Sequence, residues 1–157
     1  MIGNDIVDLS IAQQESNWKR KGFLNKLFTL KEQDLVLSSS NPELMVWNLW
    51  SRKEAAYKIY NRESGQRVFN PIQFECDEDK VFFGSLIYYT QTQITLDYVY
   101  TIALTSEDEF HAIQHLTTRK SIQKNNNIPN WIDKKNHLVY PASVTHHGRF
   151  LRVAVLK

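Results

Sequence analysis

Three short stretches of this sequence combine residue types that handle anions or divalent cations. The first is Trp50 to Lys58, WSRKEAAYK, which sets Lys53, Glu54 and Lys58 close together. Residues four apart on a helix share a face, so Trp50, Glu54 and Lys58 form one stripe. Spacing alone predicts an ion pair between Glu54 and Lys58 on a solvated face, worth about 0.3–0.5 kcal/mol. The aromatic flank of Trp47, Trp50 and Tyr57 argues for a covered helix, where a carboxylate needs a cation, a metal or hydrogen bonds. The second stretch is Gly3-Asn4-Asp5, in an apolar run that ends at Asp8. Acids are depleted inside strands. Asp8 with Ser10 has the local use of capping a helix, whereas Asp5 has none. Asp5 and Glu54 together offer hard oxygen ligands of the kind Mg²⁺ takes alongside phosphates and water. The third stretch is Ser143 to Phe150, SVTHHGRF. Its histidines, hydroxyls, glycine and Arg149 ahead of a strand suit an anion, and the absence of a cysteine or further histidine at ligand spacing argues against zinc.

The elements that must position these groups follow from pattern and caps. Ile2–Leu9 is short and β-branched and reads as a strand. Ser10 with Gln13, Thr29 with Glu32, and Ser106 with Glu109 have capping-box spacing. They predict helices to about Arg20, to Val36, and around Phe110. Asn41-Pro42 supplies a cap and an N1 proline for a long helix to about Tyr60. Ile72–Cys76, Val81–Tyr89, Ile94–Leu104 and Arg149–Leu156 read as strands, with a hairpin connection at Thr90–Gln93. Ile94, Leu96, Tyr98, Tyr100, Ile102 and Leu104 are expected on one side of their strand. The polar run Lys120–Asn130 reads as a mobile surface loop.

The fold class is α+β, a long helix on an antiparallel sheet, in one domain spanning 1–157. The net charge of +2 is too mild to argue for nucleic acid. The single cysteine, Cys76, excludes an internal disulfide framework and points to a reducing compartment. No apolar run is long enough to span a bilayer, and MIGNDIVDL lacks the features of a signal peptide, so a cytoplasmic protein without membrane contact is expected.

Taken in this order, the three stretches resemble the 4'-phosphopantetheinyl transferase superfamily. Ile2 to Leu9, IGNDIVDL, is similar to the opening G-x-D-I-V-E-I segment of the short, holo-acyl-carrier-protein-synthase type. Trp50 to Lys58 resembles the W-S/T-x-K-E-A/S-x-x-K signature, in the form used by the longer type that serves peptide synthetases. Ser143 to Phe150 resembles the longer type's S-H-S-G-R-W/F segment at the position it has in the short type. Phe28 to Glu32, FTLKE, is similar to the family's F-T/S-x-x-E stretch.

The resemblance implies Mg²⁺-dependent transfer of the phosphopantetheine arm of coenzyme A to a serine of an apo acyl or peptidyl carrier protein, as in fatty acid biosynthesis, releasing 3',5'-ADP. It gives Asp5 and Glu54 to the metal and Lys58 to phosphate. His146 goes to the nucleotide's 3'-phosphate, and Lys53 and Arg149 to further anion contacts. The serine proton goes to Glu54 or to a metal-bound water. Two departures stand out: Val7 occupies the place of a third acid, and Ile59-Tyr60-Asn61-Arg62 replaces a glycine-rich turn. Together with the chain's length, the resemblance implies a homo-oligomer, a trimer first, with His146 serving the Asp5 and Glu54 of a neighbouring chain. Lys19-Arg20-Lys21 and Lys26, with Phe23 or Leu24, are expected to face an acidic carrier protein. The rival reading is a family member that binds coenzyme A or a carrier protein without transfer.

Overall fold

The computed structural model describes residues 1–157. Strand β1 (Ile2–Asp8) runs through its interior, with all seven residues buried. Asp8 ends β1 and caps α1 (Leu9–Glu15) by accepting from the Ser10 N–H, and the helix stops well before Arg20, where Ser16 turns extended. A short helix absent from the sequence expectations, α2 (Phe23–Leu27), follows Gly22. The Thr29–Glu32 capping box opens α3 (Leu30–Ser38). Helix α4 (Pro42–Ser64) starts at the Asn41 cap and runs past Tyr60 until Gly65, at φ +72, ends it in the left-handed conformation that glycine adopts without strain.

After a 3₁₀ turn at Pro71–Gln73 come β2 (Glu75–Asp77), β3 (Lys80–Phe83), β4 (Leu86–Ile94) and β5 (Tyr98–Leu104). The strand expected over Val81–Tyr89 is therefore two strands. The hairpin expected at Thr90–Gln93 lies inside β4, because the chain turns at Thr95, whose hydroxyl accepts from the Asp97 and Tyr98 N–H groups. Ile94 and Leu96 consequently leave the inward row, and Leu96 is 99% exposed. A second 3₁₀ segment at Glu107–Ala112 leads to β6 (Ile113–Leu116), β7 (Ile122–Asn125), β8 (Ile128–Ile132), β9 (Val139–His147) and β10 (Phe150–Leu156). The polar run expected to be a mobile loop is thus the β7–β8 hairpin. Its two-residue turn, Asn126-Asn127, has φ +51 and +67, a conformation asparagine tolerates and hairpin turns require.

The strands form two antiparallel five-stranded sheets, β1-β5-β4-β3-β2 and β6-β10-β9-β8-β7. On one face of the first sheet, Val7, Val99, Ala103, Cys76 and Val81 pack with Ala55, Ala56 and Ile59 of α4. On the other face, Ile2, Ile6, Tyr100, Ile102 and Leu104 pack with Ala154 and Leu156 of β10. The layers are helix, sheet and sheet, with β1 in the middle. No helix is long and apolar enough to cross a membrane.

Candidate active site

Strand alternation puts Gly3, Asp5 and Val7 on the α4 side of β1. The helix passes so close at Gly3 that a side chain there would run into the Ala55 carbonyl oxygen. Only glycine permits this approach, and it brings Lys58, one turn beyond Glu54, onto β1. The Lys58 ammonium donates to the Asn4 carbonyl at 2.6 Å and to Asp5 Oδ1 at 3.2 Å. The ion pair expected between Glu54 and Lys58 is not formed; Lys58 pairs with Asp5 across the layers instead. An ammonium has three N–H donors, so one is left for another acceptor.

Asp5, Glu54, Lys58 and His146 line one cavity of about 530 Å³. Its other wall is apolar and includes Phe23, Leu27, Trp47 and Trp50. Burial pushes the Asp5 carboxyl above its ordinary range, with Lys58 and Thr145 opposing. Glu54 has no ion-pair partner and is pushed up to about 7, first by burial and then by the charge of Asp5. Two buried hard carboxylates, one of which raises the proton affinity of the other, are a fit donor set for Mg²⁺, since a divalent cation would offset their charge. No third acid or histidine completes a protein cluster around them, so a cation held here would take its remaining ligands from other oxygens such as those of substrate or water. Val7, in the third acid's place, is packed into the core.

The segment Ser143 to His147, expected to precede a strand, is itself strand, and it has a structural use that spacing did not reveal. One edge of β1 pairs with β5, leaving the N–H groups of Asn4, Ile6 and Asp8 pointing the other way. Alternate side chains of β9 accept from them: Ser143 Oγ from Asn4, Thr145 Oγ1 from Ile6, and His147 Nδ1 from Asp8, at 2.9, 3.3 and 2.9 Å. A buried strand edge is capped by side chains where another strand would otherwise pair. The Thr145 hydroxyl also donates to Asp5 Oδ1 at 3.1 Å. His146, on the opposite face of β9, is exposed and reaches the cavity rim. His146 shares this cavity with Asp5 and Glu54 of its own chain.

Residues 1–112 match the family model of the 4'-phosphopantetheinyl transferase superfamily. The chain belongs to this superfamily of enzymes. No curated protein matches it. Among solved structures it is similar to an apo-ACPS from Chronobacterium ammoiniagenes, with 15% identity, a TM-score of 0.54, and coverage of 66% of this chain and 93% of that one. It is also similar to holo-acyl-carrier-protein synthase (AcpS) from Neisseria meningitidis, with 15% identity, a TM-score of 0.50, and coverage of 65% and 94%. The α+β architecture is that of the holo-acyl-carrier-protein-synthase type of phosphopantetheinyl transferase. Thr145 and His146 lie beyond the residues that match the family model.

Two of the anion contacts drawn from the phosphopantetheinyl transferase pattern have other places. Lys53 is fully buried, and its ammonium is spent on Glu32 Oε2 at 2.6 Å and on the Leu27 and Pro71 carbonyls, both at 2.9 Å. Glu32 meanwhile accepts from the Thr29 and Cys76 N–H groups. The K-E pair is thus split, with Lys53 fastening α4 to α3 and Glu54 facing the cavity. Arg149 forks onto Asp8 through Nε and Nη2, both at 2.9 Å, and holds that carboxyl well below the usual range. It lies outside the cavity of Asp5 and Glu54 and fixes the β9–β10 turn on β1. Sequence reasoning also passed over a second cavity, about 430 Å³, that shares Lys58 with the first. It is lined by Arg62, Arg119 and Lys124 and by no acid. Arg62 donates to the Pro129 and Ala142 carbonyls and to Asn130, which solvate its charge without neutralising it.

Proposed function

We propose that this protein transfers the 4'-phosphopantetheine group of coenzyme A to a serine of an apo acyl or peptidyl carrier protein in a Mg²⁺-dependent reaction. The observation that carries the reading is the convergence of Asp5, Glu54, Lys58 and His146, from three separate elements, on one cavity. The serine oxygen bonds to the phosphorus that bears the pantetheine, the bond from that phosphorus to the bridging oxygen breaks, and the bridging oxygen departs with 3',5'-ADP.

Asp5 and Glu54 would hold the cation, which when bound neutralises diphosphate charge and favours in-line geometry. Lys58 directs its remaining N–H to the leaving oxygen. The serine proton would pass to Glu54 or to a water on the cation, since a carboxylate that holds the cation is a weaker base than its metal-free proton affinity suggests. The acid-free cavity beyond Lys58 supplies positive charge for the phosphomonoester at the nucleotide end, with Arg62, Arg119 and Lys124 adding to the part given to His146. Phe23 and Leu27 rim the first cavity just after the basic run Lys19-Arg20-Lys21, and a carrier with acidic flanks would approach from there. A cytoplasmic homo-oligomer, a trimer by first expectation, belongs to this reading, and solution mass measures it.

The test is intact-mass spectrometry of apo carrier proteins after incubation with coenzyme A and Mg²⁺. The expected result is a phosphopantetheine mass gain that is lost in Glu54→Gln. No gain on any carrier, while coenzyme A still binds by calorimetry, replaces the transferase by a non-catalytic binder.

A further inference from the structure

We propose that Thr145 is a positioning residue for Asp5, fixing which carboxylate oxygen is offered to a divalent cation; this rests on the reading of Asp5 as a metal ligand. The three β9 side chains that cap β1 are not equivalent. Ser143 and His147 accept from an N–H and touch no carboxylate oxygen. Thr145 does both. A hydroxyl carries one proton and two lone pairs, so accepting from Ile6 leaves its proton to give, and Asp5 Oδ1 takes it. The Ile6 N–H also fixes the hydroxyl's direction, so the donor is oriented before any ligand arrives.

Lys58 donates to the same Oδ1 from α4. Two side-chain donors from two elements therefore converge on one oxygen, Oδ1, and neither reaches Oδ2. Exchanging the two oxygens by rotating the carboxylate would break both hydrogen bonds. Asp5 is only 9% exposed, so no water shell substitutes for this hold. Hydrogen bonds behind a ligating carboxylate orient it, and losing one typically weakens metal binding about 10–100-fold.

The experiment titrates Mn²⁺ alone into the full chain and reads the free ion by electron paramagnetic resonance, with melting temperatures measured in parallel. Thr145→Val keeps the shape and removes the hydroxyl. It is expected to weaken Mn²⁺ binding about tenfold or more. Thr145→Ser restores the hydroxyl and the affinity. Ser143→Ala breaks a neighbouring rung without touching Asp5, so it lowers the melting temperature and leaves Mn²⁺ affinity unchanged. Should Thr145→Val fail to fold, Thr145→Ala makes the same comparison. Wild-type affinity in the hydroxyl-free variant, with Asp5→Asn abolishing binding, overturns the positioning role alone. Equal Mn²⁺ binding by Asp5→Asn and wild type overturns the metal reading beneath it.

Discussion

Lys53 and Lys58 sit on the same helix and have opposite fates, which the number of acceptors around each ammonium decides. Lys53 has three protein oxygens and no exposure, so it has nothing left to bind with. Lys58 has two, and its side chain is 29% exposed between two cavities. Glu54, between them, carries the pH signature of the site. Its folded pKa is raised to about 7 from an ordinary 4.5. The folded chain therefore holds a proton that the unfolded chain has released, and from pH 4.5 to 7 this group's contribution to stability falls as pH rises. Asp5, also raised, acts with the same sign. The expected outcome is that metal-free Glu54→Gln gains on wild type between pH 5 and 7.5, by up to about 3 kcal/mol. Mg²⁺ should also raise the wild-type melting temperature more at pH 7.5 than at pH 5. Calorimetric melting at both pH values checks this, and a wild-type-minus-variant difference that does not change with pH contradicts the placement of Glu54.

At the level of elements, the crossing of β1 and α4 sets the site. A methyl group at residue 3 meets the Ala55 carbonyl, which belongs to the helix backbone and cannot rotate away. Gly3→Ala is expected to cost about 1–3 kcal/mol through overpacking. It should also loosen the Asp5–Lys58 pair, so that turnover falls by more than the loss of folded protein accounts for; thermal melting alongside activity per folded molecule checks it. This crossing was half legible in the sequence. Asn41-Pro42 and the Thr29–Glu32 box act over a few residues, so α3 and the start of α4 could be read from spacing, whereas the end of α4 was placed near Tyr60 and lies at the Gly65 cap. The β-branched β1 was legible for the same reason. The use of Ser143, Thr145 and His147 as acceptors for β1 depends on a partner about 139 residues away and leaves no local trace. The split between Lys53 and Glu54 was hidden similarly, because it depends on where α3 delivers Glu32. The β7–β8 hairpin was obscured by composition, its polar residues forming a turn whose conformation asparagine supplies in place of glycine.

Across the whole molecule, the two sheets share β1 in different ways. The first sheet pairs with it by backbone hydrogen bonds to β5, whereas the second covers it with side chains of β9 and with the apolar residues of β10. The family match ends at residue 112, yet the covering of β1 comes from residues beyond it. A chain cut after residue 112 would keep Asp5, Glu54 and Lys58. It would expose the Asn4, Ile6 and Asp8 N–H groups together with Ile2, Ile6, Tyr100, Ile102 and Leu104. An open strand edge beside an apolar face is a template for pairing with other chains. The expected outcome is that residues 1–112 alone form soluble aggregates, bind Mn²⁺ no better than the Asp5→Asn full chain, and transfer nothing to a carrier protein. Light scattering during size-exclusion chromatography and the same metal titration check this. A monodisperse 1–112 fragment with full Mn²⁺ affinity would show that the β1 edge and the Asp5 carboxylate need nothing from the second sheet.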